Sequence, residues 1–181
     1  MPHLLLKDLP RYECLLEAAK LYPALDPSAC EALLHLLRAG DEVAAVVERE
    51  LSEHGISHGR FGVLMLLWQS CEEQHPSGLT PAELADKAGV TRATMTGLVD
   101  TLERDGLVKR APDSEDRRMM RVLLTAKAEK FVDRILPDHF RTIAEIMQPL
   151  SETERKTLAR LLNKVLQHST SLEPAVPAAG R

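Results

Sequence analysis

Leu158, Leu161, Leu162, Val165 and Leu166 recur at the i, i+3, i+4, i+7, i+8 spacing that lays one apolar stripe along a helix. Ser151-Glu152-Thr153-Glu154 stands before that stripe as a capping box, in which a Ser or Thr hydroxyl and a Glu carboxylate satisfy orphan backbone donors. A preceding helix is predicted from about Thr125. It carries Phe131, Val132, Ile135 and Leu136, meets Pro137, where a kink is expected, and resumes with Phe140, Ile143, Ile146 and Met147. Toward the N-terminus, Tyr12, Leu15, Leu16 and Ala19 predict a short helix ended by Pro23. Ser28-Ala29-Cys30-Glu31 reads as a second capping box, opening a long helix to about His54. The final stretch, 171–181, has no period and is expected to be a disordered tail.

Between the long helices the periods shorten. Thr80-Pro81-Ala82-Glu83 is a third capping box, with Pro where its missing N–H costs nothing. The helix it opens runs to about Ala88, where Gly89 supplies a turn. Thr91 then caps a helix that ends at Asp105-Gly106. Two short helices around a tight Gly turn make a helix-turn-helix. Leu84 and Ala85 are expected to face inward from the first, and Met95, Leu98, Val99 and Leu102 from the second. The opposite face of the second carries Ala93, Thr96, Gly97, Asp100 and Arg104, with Arg92 and Thr94 on its flanks. Small residues let a helix lie deep in a major groove, and Arg92, Thr91, Thr94 and Thr96 offer groups for bases or phosphates. Residues 107–112 and 119–125 are short β-like runs around a charged turn, so a hairpin follows the second helix directly. An arginine at its tip, Arg117 or Arg118, would suit the negative potential of a minor groove. Asp116 is placed to hold Arg118, while Lys109, Arg110 and Arg121 flank the turn, within reach of phosphates.

Composition narrows this reading without making it basic. The net charge is −4, and between Thr91 and Arg121 there are 7 Lys or Arg against 6 Asp or Glu. The case for nucleic acid therefore rests on arrangement, and a winged helix that docks a protein stays open as an alternative. Three widely spaced cysteines, Cys14, Cys30 and Cys71, with no C-x-x-C pair, suit a reducing, cytoplasmic setting. No signal peptide or membrane span is expected. There is no nucleophile elbow, Gly-rich phosphate loop or paired-carboxylate cleft, so no enzyme is expected.

The order of elements, the D-x-R-x-x-R of Asp116, Arg118 and Arg121, and the closing Leu124-Thr125 resemble the MarR family of bacterial transcription regulators over roughly residues 28–168. The resemblance implies a mainly α fold. A winged helix-turn-helix with a small β-hairpin wing (60–124) would sit between N-terminal (1–59) and C-terminal (125–170) helices that form a dimerisation domain. It implies a homodimer binding a pseudo-palindromic double-stranded operator, usually as a repressor, with half-sites about 10 base pairs apart. It also implies relief by a small aromatic or phenolic acid bound between the dimer helices and the winged helix. His54, His58, Arg60, Phe61 and Trp68 are the candidates to line that pocket, although Trp68 in FGVLMLLW suits the core better.

Some positions depart from the family pattern. Ala128 stands where Gly is usual. Gly62 stands where urate-responsive members carry a ligand-binding Asp, and Tyr12 near their Trp, so urate is not expected. The place of the oxidant-sensing Cys falls near Ala39 and Gly40. Cys14 and Cys30, near the expected dimer helices, keep a thiol-based redox regulator as a second alternative. His54 and His58 straddle Gly55-Ile56-Ser57 and supply too few placed ligands for zinc, so neither metal nor cofactor is expected.

Overall fold

The computed structural model describes residue 4 and residues 8–72, 78–113 and 118–172. In chain order these form α1 (Tyr12–Leu21), α2 (Pro27–Glu53), α3 (His58–Glu72), α4 (Pro81–Ala88), α5 (Arg92–Arg104), β1 (Val108–Pro112), β2 (Met120–Leu124), α6 (Ala126–Met147) and α7 (Glu152–Leu172). The fold is mainly helical with one antiparallel hairpin, in which Val108 pairs with Leu124 and Pro112 with Met120. Leu79 and Val122 exchange both backbone hydrogen bonds, at 3.2 and 2.7 Å, which adds a bridge from the segment before α4. The chain packs as two units, 1–140 and 141–181. None of the described helices is long and apolar enough to cross a membrane.

Capping chemistry decides where the helices begin. Thr80 and Glu83 form the full reciprocal box at α4. Ser151 and Glu154 do the same before α7, with the Ser151 N–H donating to Glu154 Oε2 at 2.8 Å. At α2 the cap is Asp26, not Ser28. The Asp26 carboxylate accepts from the N–H groups of Ser28 (2.9 Å) and Ala29 (3.2 Å), with Pro27 as the first helical residue. These bonds, the Ser28 hydroxyl first among them, hold the Asp26 carboxyl below its ordinary value. At the other end, α7 runs to Leu172, so Ser171 and Leu172 are helical. The remaining expected tail, 173–181, lies outside the described residues. α6 continues through Pro137.

One core joins the helix-turn-helix to the helices around it. Leu51, Leu64, Leu67, Leu84, Met95, Val99, Leu102, Val122, Val132 and Ile135 are fully buried. Ala128 is also fully buried, so the methyl that replaces the usual Gly has its place in the packing. α7 buries none of its residues within the chain: Leu161, Val165 and Leu166 stay exposed.

The Thr80–Glu83 box carries a pH signature. The Glu83 carboxyl lies below its ordinary 4.5, chiefly because the Thr80 N–H donates to it, while partial burial opposes the shift. A group with a depressed folded pKa adds stability above its unfolded value and loses it as pH falls through the folded one. Glu83→Gln is therefore expected to destabilise the protein near neutral pH. The gap to wild type should close as pH falls below 4.5, as measured by urea unfolding across that range.

Candidate nucleic-acid interface

The geometry of α4 and α5 is set by a tight turn. Gly89 sits at φ +63, left-handed backbone that glycine adopts without strain, and Val90 N–H returns to Ala85 O at 3.1 Å. Thr91 caps α5 by accepting the Thr94 N–H at 3.1 Å. Met95, Val99 and Leu102 then fall on the buried face, with Leu98 half-buried at its edge. Arg92, Ala93, Thr94, Thr96, Gly97, Asp100 and Arg104 are exposed on the other side. Gly97 lies inside the helix, and a Cβ built on it meets nothing within 4 Å. None of the described residues therefore requires this position to lack a side chain, and in mid-helix that lack costs about 1 kcal/mol.

The wing is braced by two of the arginines expected at phosphates. The Arg110 guanidinium lies against Glu103 and donates to Asp100 at 2.5 Å, tying β1 to the end of α5. The Asp100 bond, aided by the Glu103 charge, holds its pKa above the ordinary value. Arg121 pairs with Asp113, which is buried, and donates to Gly78 O at 2.9 Å. These contacts inside the chain tie the hairpin to α5 and to the segment before α4. Lys109 and Arg118 are exposed on the wing. Asp116 and Arg117 lie outside the described residues.

The MarR family model matches residues 56–120, from the approach to α3 through the wing. The chain is also 34% identical over 162 residues to the HTH-type transcriptional repressor YetL of Bacillus subtilis, a match that covers 90% of this chain and 95% of YetL. The chain belongs to the MarR family. It is a winged-helix, DNA-binding transcriptional regulator by that membership. Among solved structures, CouR from Rhodococcus jostii RHA1, bound to p-coumaroyl-CoA, matches at TM-score 0.61 and 26% identity, over 78% of this chain and 92% of CouR. The S. aureus MepR–DNA complex shares the fold at TM-score 0.65 and 23% identity, over 76% of this chain and 96% of MepR.

In this MarR-family chain the five residues expected around an effector have different surroundings. Phe61 is core, edge-on to His139 at 4.9 Å between ring centroids. His54 lies 3.6 Å from Glu50 and 3.7 Å from Asp138. Arg60 donates to Asp105 at 2.9 Å and to Gly55 O at 3.1 Å. Trp68 is half-buried against the core. His58 alone of the five lines a cleft of about 400 Å³, whose other walls include Gly62, Met65, Gln69, Lys87, Met95 and Leu98. The sequence reading missed Lys87 and the α3 face, and also the Glu50–His139 contact at 2.9 Å. Gly62, also on that face, leaves open space where a side chain would stand.

The Arg121–Asp113 pair gives a direct test of wing bracing. Removing one partner of a fully buried pair strands the other charge at a cost of about 3–5 kcal/mol, less where one partner, like Arg121, is part-exposed. Arg121→Met is expected to lower stability in urea unfolding by a sizeable part of that. It should also speed amide exchange at Met120 and Val122 more than in α2.

Proposed function

We propose that this protein is a homodimeric, sequence-specific repressor, relieved by a small-molecule effector, that acts on pseudo-palindromic DNA in the cytoplasm. One observation carries the reading. Gly97 weakens the exposed centre of α5, where no described neighbour needs the space, and it stands among Ala93, Thr94 and Thr96 beside the exposed Lys109 and Arg118 of the wing. A bare, small-residue helix face backed by a full core is what close approach to a major groove requires. The relative named as an HTH-type transcriptional repressor, matched over nearly its whole length, supports the same role. The exposed apolar stripe of α7, with Leu161, Val165 and Leu166, supports a dimer through the terminal helices.

The effector reading moves to the cleft behind α5. Its walls are largely apolar, with Lys87 and His58 among them, which suits an aromatic acid whose carboxylate meets the ammonium group. That CouR was crystallised with p-coumaroyl-CoA supports an aromatic ligand class. An occupant touching Met95 and Leu98 bears on the helix that carries the DNA face. It would act by binding more tightly to a dimer whose wings are wrongly spaced.

Binding to DNA from upstream of the protein's own gene, measured over a salt series, tests the reading. Tight site-specific binding with a steep salt slope is expected, and Lys109→Ala should reduce the slope by about one. Gly97→Ala should raise stability by about 1 kcal/mol yet weaken specific binding, a split that a purely structural glycine would not give. Weak, salt-insensitive binding would favour the protein-docking alternative. A Leu161→Asp/Val165→Asp variant is expected to run as a monomer in light scattering and to lose specific binding.

A further inference from the structure

Between the charged ends of the outward face of α5, the threonines turn their hydroxyls back onto the helix. Thr96 Oγ1 donates to Arg92 O at 2.8 Å, so its hydroxyl is folded back on the helix and its methyl is left outermost. The Thr94 and Thr91 hydroxyls bond each other at 2.9 Å, and Thr91 Oγ1 also accepts the Thr94 N–H. Ala93 adds a methyl and Gly97 adds nothing. Alongside runs a groove of about 340 Å³, lined by Pro81, Ala82, Arg92, Thr96, Met119 and Met120, with Thr80 at its edge. Met119 and Met120 are 44% and 41% exposed, and Arg92 is the one charged residue in that lining. No hydrogen bond or ion pair among the described residues engages the Arg92 guanidinium.

Resting on the DNA-binding reading of this face, we propose that the protein reads its half-site through thymine methyl groups, with Thr96, Ala93 and the Met119–Met120 pair as the specificity-determining contacts. In the major groove thymine alone presents an apolar group, its C5 methyl, and Ala and Thr methyls are the side-chain groups that meet it. A cytosine in the same place has no C5 methyl, so the contact with these carbon atoms is lost. The thioether side chains of Met119 and Met120 are flexible enough to close over a methyl at the edge of the helix. Arg92, at the start of α5, supplies the polar anchor, to a phosphate or to a guanine at the border of the T-rich run.

Full-length protein is used to select duplexes from a random-sequence library, and the selected duplexes are resynthesised with deoxyuridine replacing each thymine in turn. Deoxyuridine lacks nothing but the methyl. Binding is expected to weaken about fourfold for each contacted methyl, with the salt slope unchanged. Thr96→Ser, which keeps the hydroxyl, should reproduce that loss and abolish the deoxyuridine effect at its base. Thr96→Val, which keeps the methyl and replaces the hydroxyl, should bind like wild type, and matched melting temperatures for the two variants show that both are folded. Selected duplexes that bind tightly but tolerate deoxyuridine everywhere overturn this inference and leave the DNA-binding reading intact, as does binding lost in Thr96→Val but kept in Thr96→Ser. A library from which nothing is enriched overturns the DNA-binding reading and this inference with it.

Discussion

A helix of thirteen residues does not hold its own position in water; what fixes α5 is the complete burial of Met95, Val99 and Leu102 along one side. The same core holds Leu84 and Ala85 of α4, Val63, Leu64 and Leu67 of α3, and Val122 of β2. Because the anchoring side is saturated with apolar contacts, the other side is free to be chosen for an outside surface. It is filled with residues that poorly suit an isolated helix: a glycine, threonines and an aspartate. The wing shares the anchor through Val108 and Val122 and is tied to α5 again by Arg110. Helix and wing are thus set on one foundation, and their spacing follows from core packing and not from the exposed surface.

Charge is spent in the same way. The segment from Thr91 to Arg121 has 7 basic and 6 acidic residues, close to neutral. Within it Arg110 absorbs Asp100 and Glu103, and Arg121 absorbs Asp113. Asp100, Glu103 and Asp113 are thus paired within the chain, while Arg92, Arg104, Lys109 and Arg118 are exposed. Affinity that rests on few phosphate contacts leaves more of the discrimination to the shape and chemistry of the α5 face.

What the sequence made legible was local. Thr80, Thr91 and Ser151 announce their helices because a cap and its partner lie three residues apart, and the α5 stripe follows from helical period alone. Asp26 was missed because Ser28 and Glu31 also fit a capping box, although Pro27, well suited to a first helical turn, pointed one residue further back. The long-range partnerships were not legible. Arg121 meets Gly78 from 43 positions away, Arg60 meets Asp105 from 45, and His139 meets Glu50 from 89. An arginine in a charged turn looks the same in sequence whether it faces a phosphate or a buried carboxylate, so Arg110 and Arg121 read as surface residues until the packing was known. The expected effector residues scatter for the same reason: neighbours in sequence on α3 point to different sides of it.

In the proposed effector reading, the cleft behind α5 has leverage because of what it touches, not because of its size. Leu98 is half-buried, between the sealed face of Met95 and Val99 and the exposed face of Thr94 and Gly97, and both Met95 and Leu98 line the cleft. A close-packed core does not yield smoothly; it shifts between discrete packings. An occupant that wedges Leu98 outward must therefore move α5 as a unit, and the wing with it through Arg110. In the proposed dimer the two α5 helices must meet half-sites about one helical turn apart, so a shift shared by both subunits changes their spacing twice over. Moving such an equilibrium from 1:99 to 99:1 takes about 5.5 kcal/mol of differential affinity. Two equivalent clefts divide that requirement, so each ligand needs to favour the displaced packing by only about half as much, within reach of a small aromatic acid held by one ammonium group and a largely apolar wall.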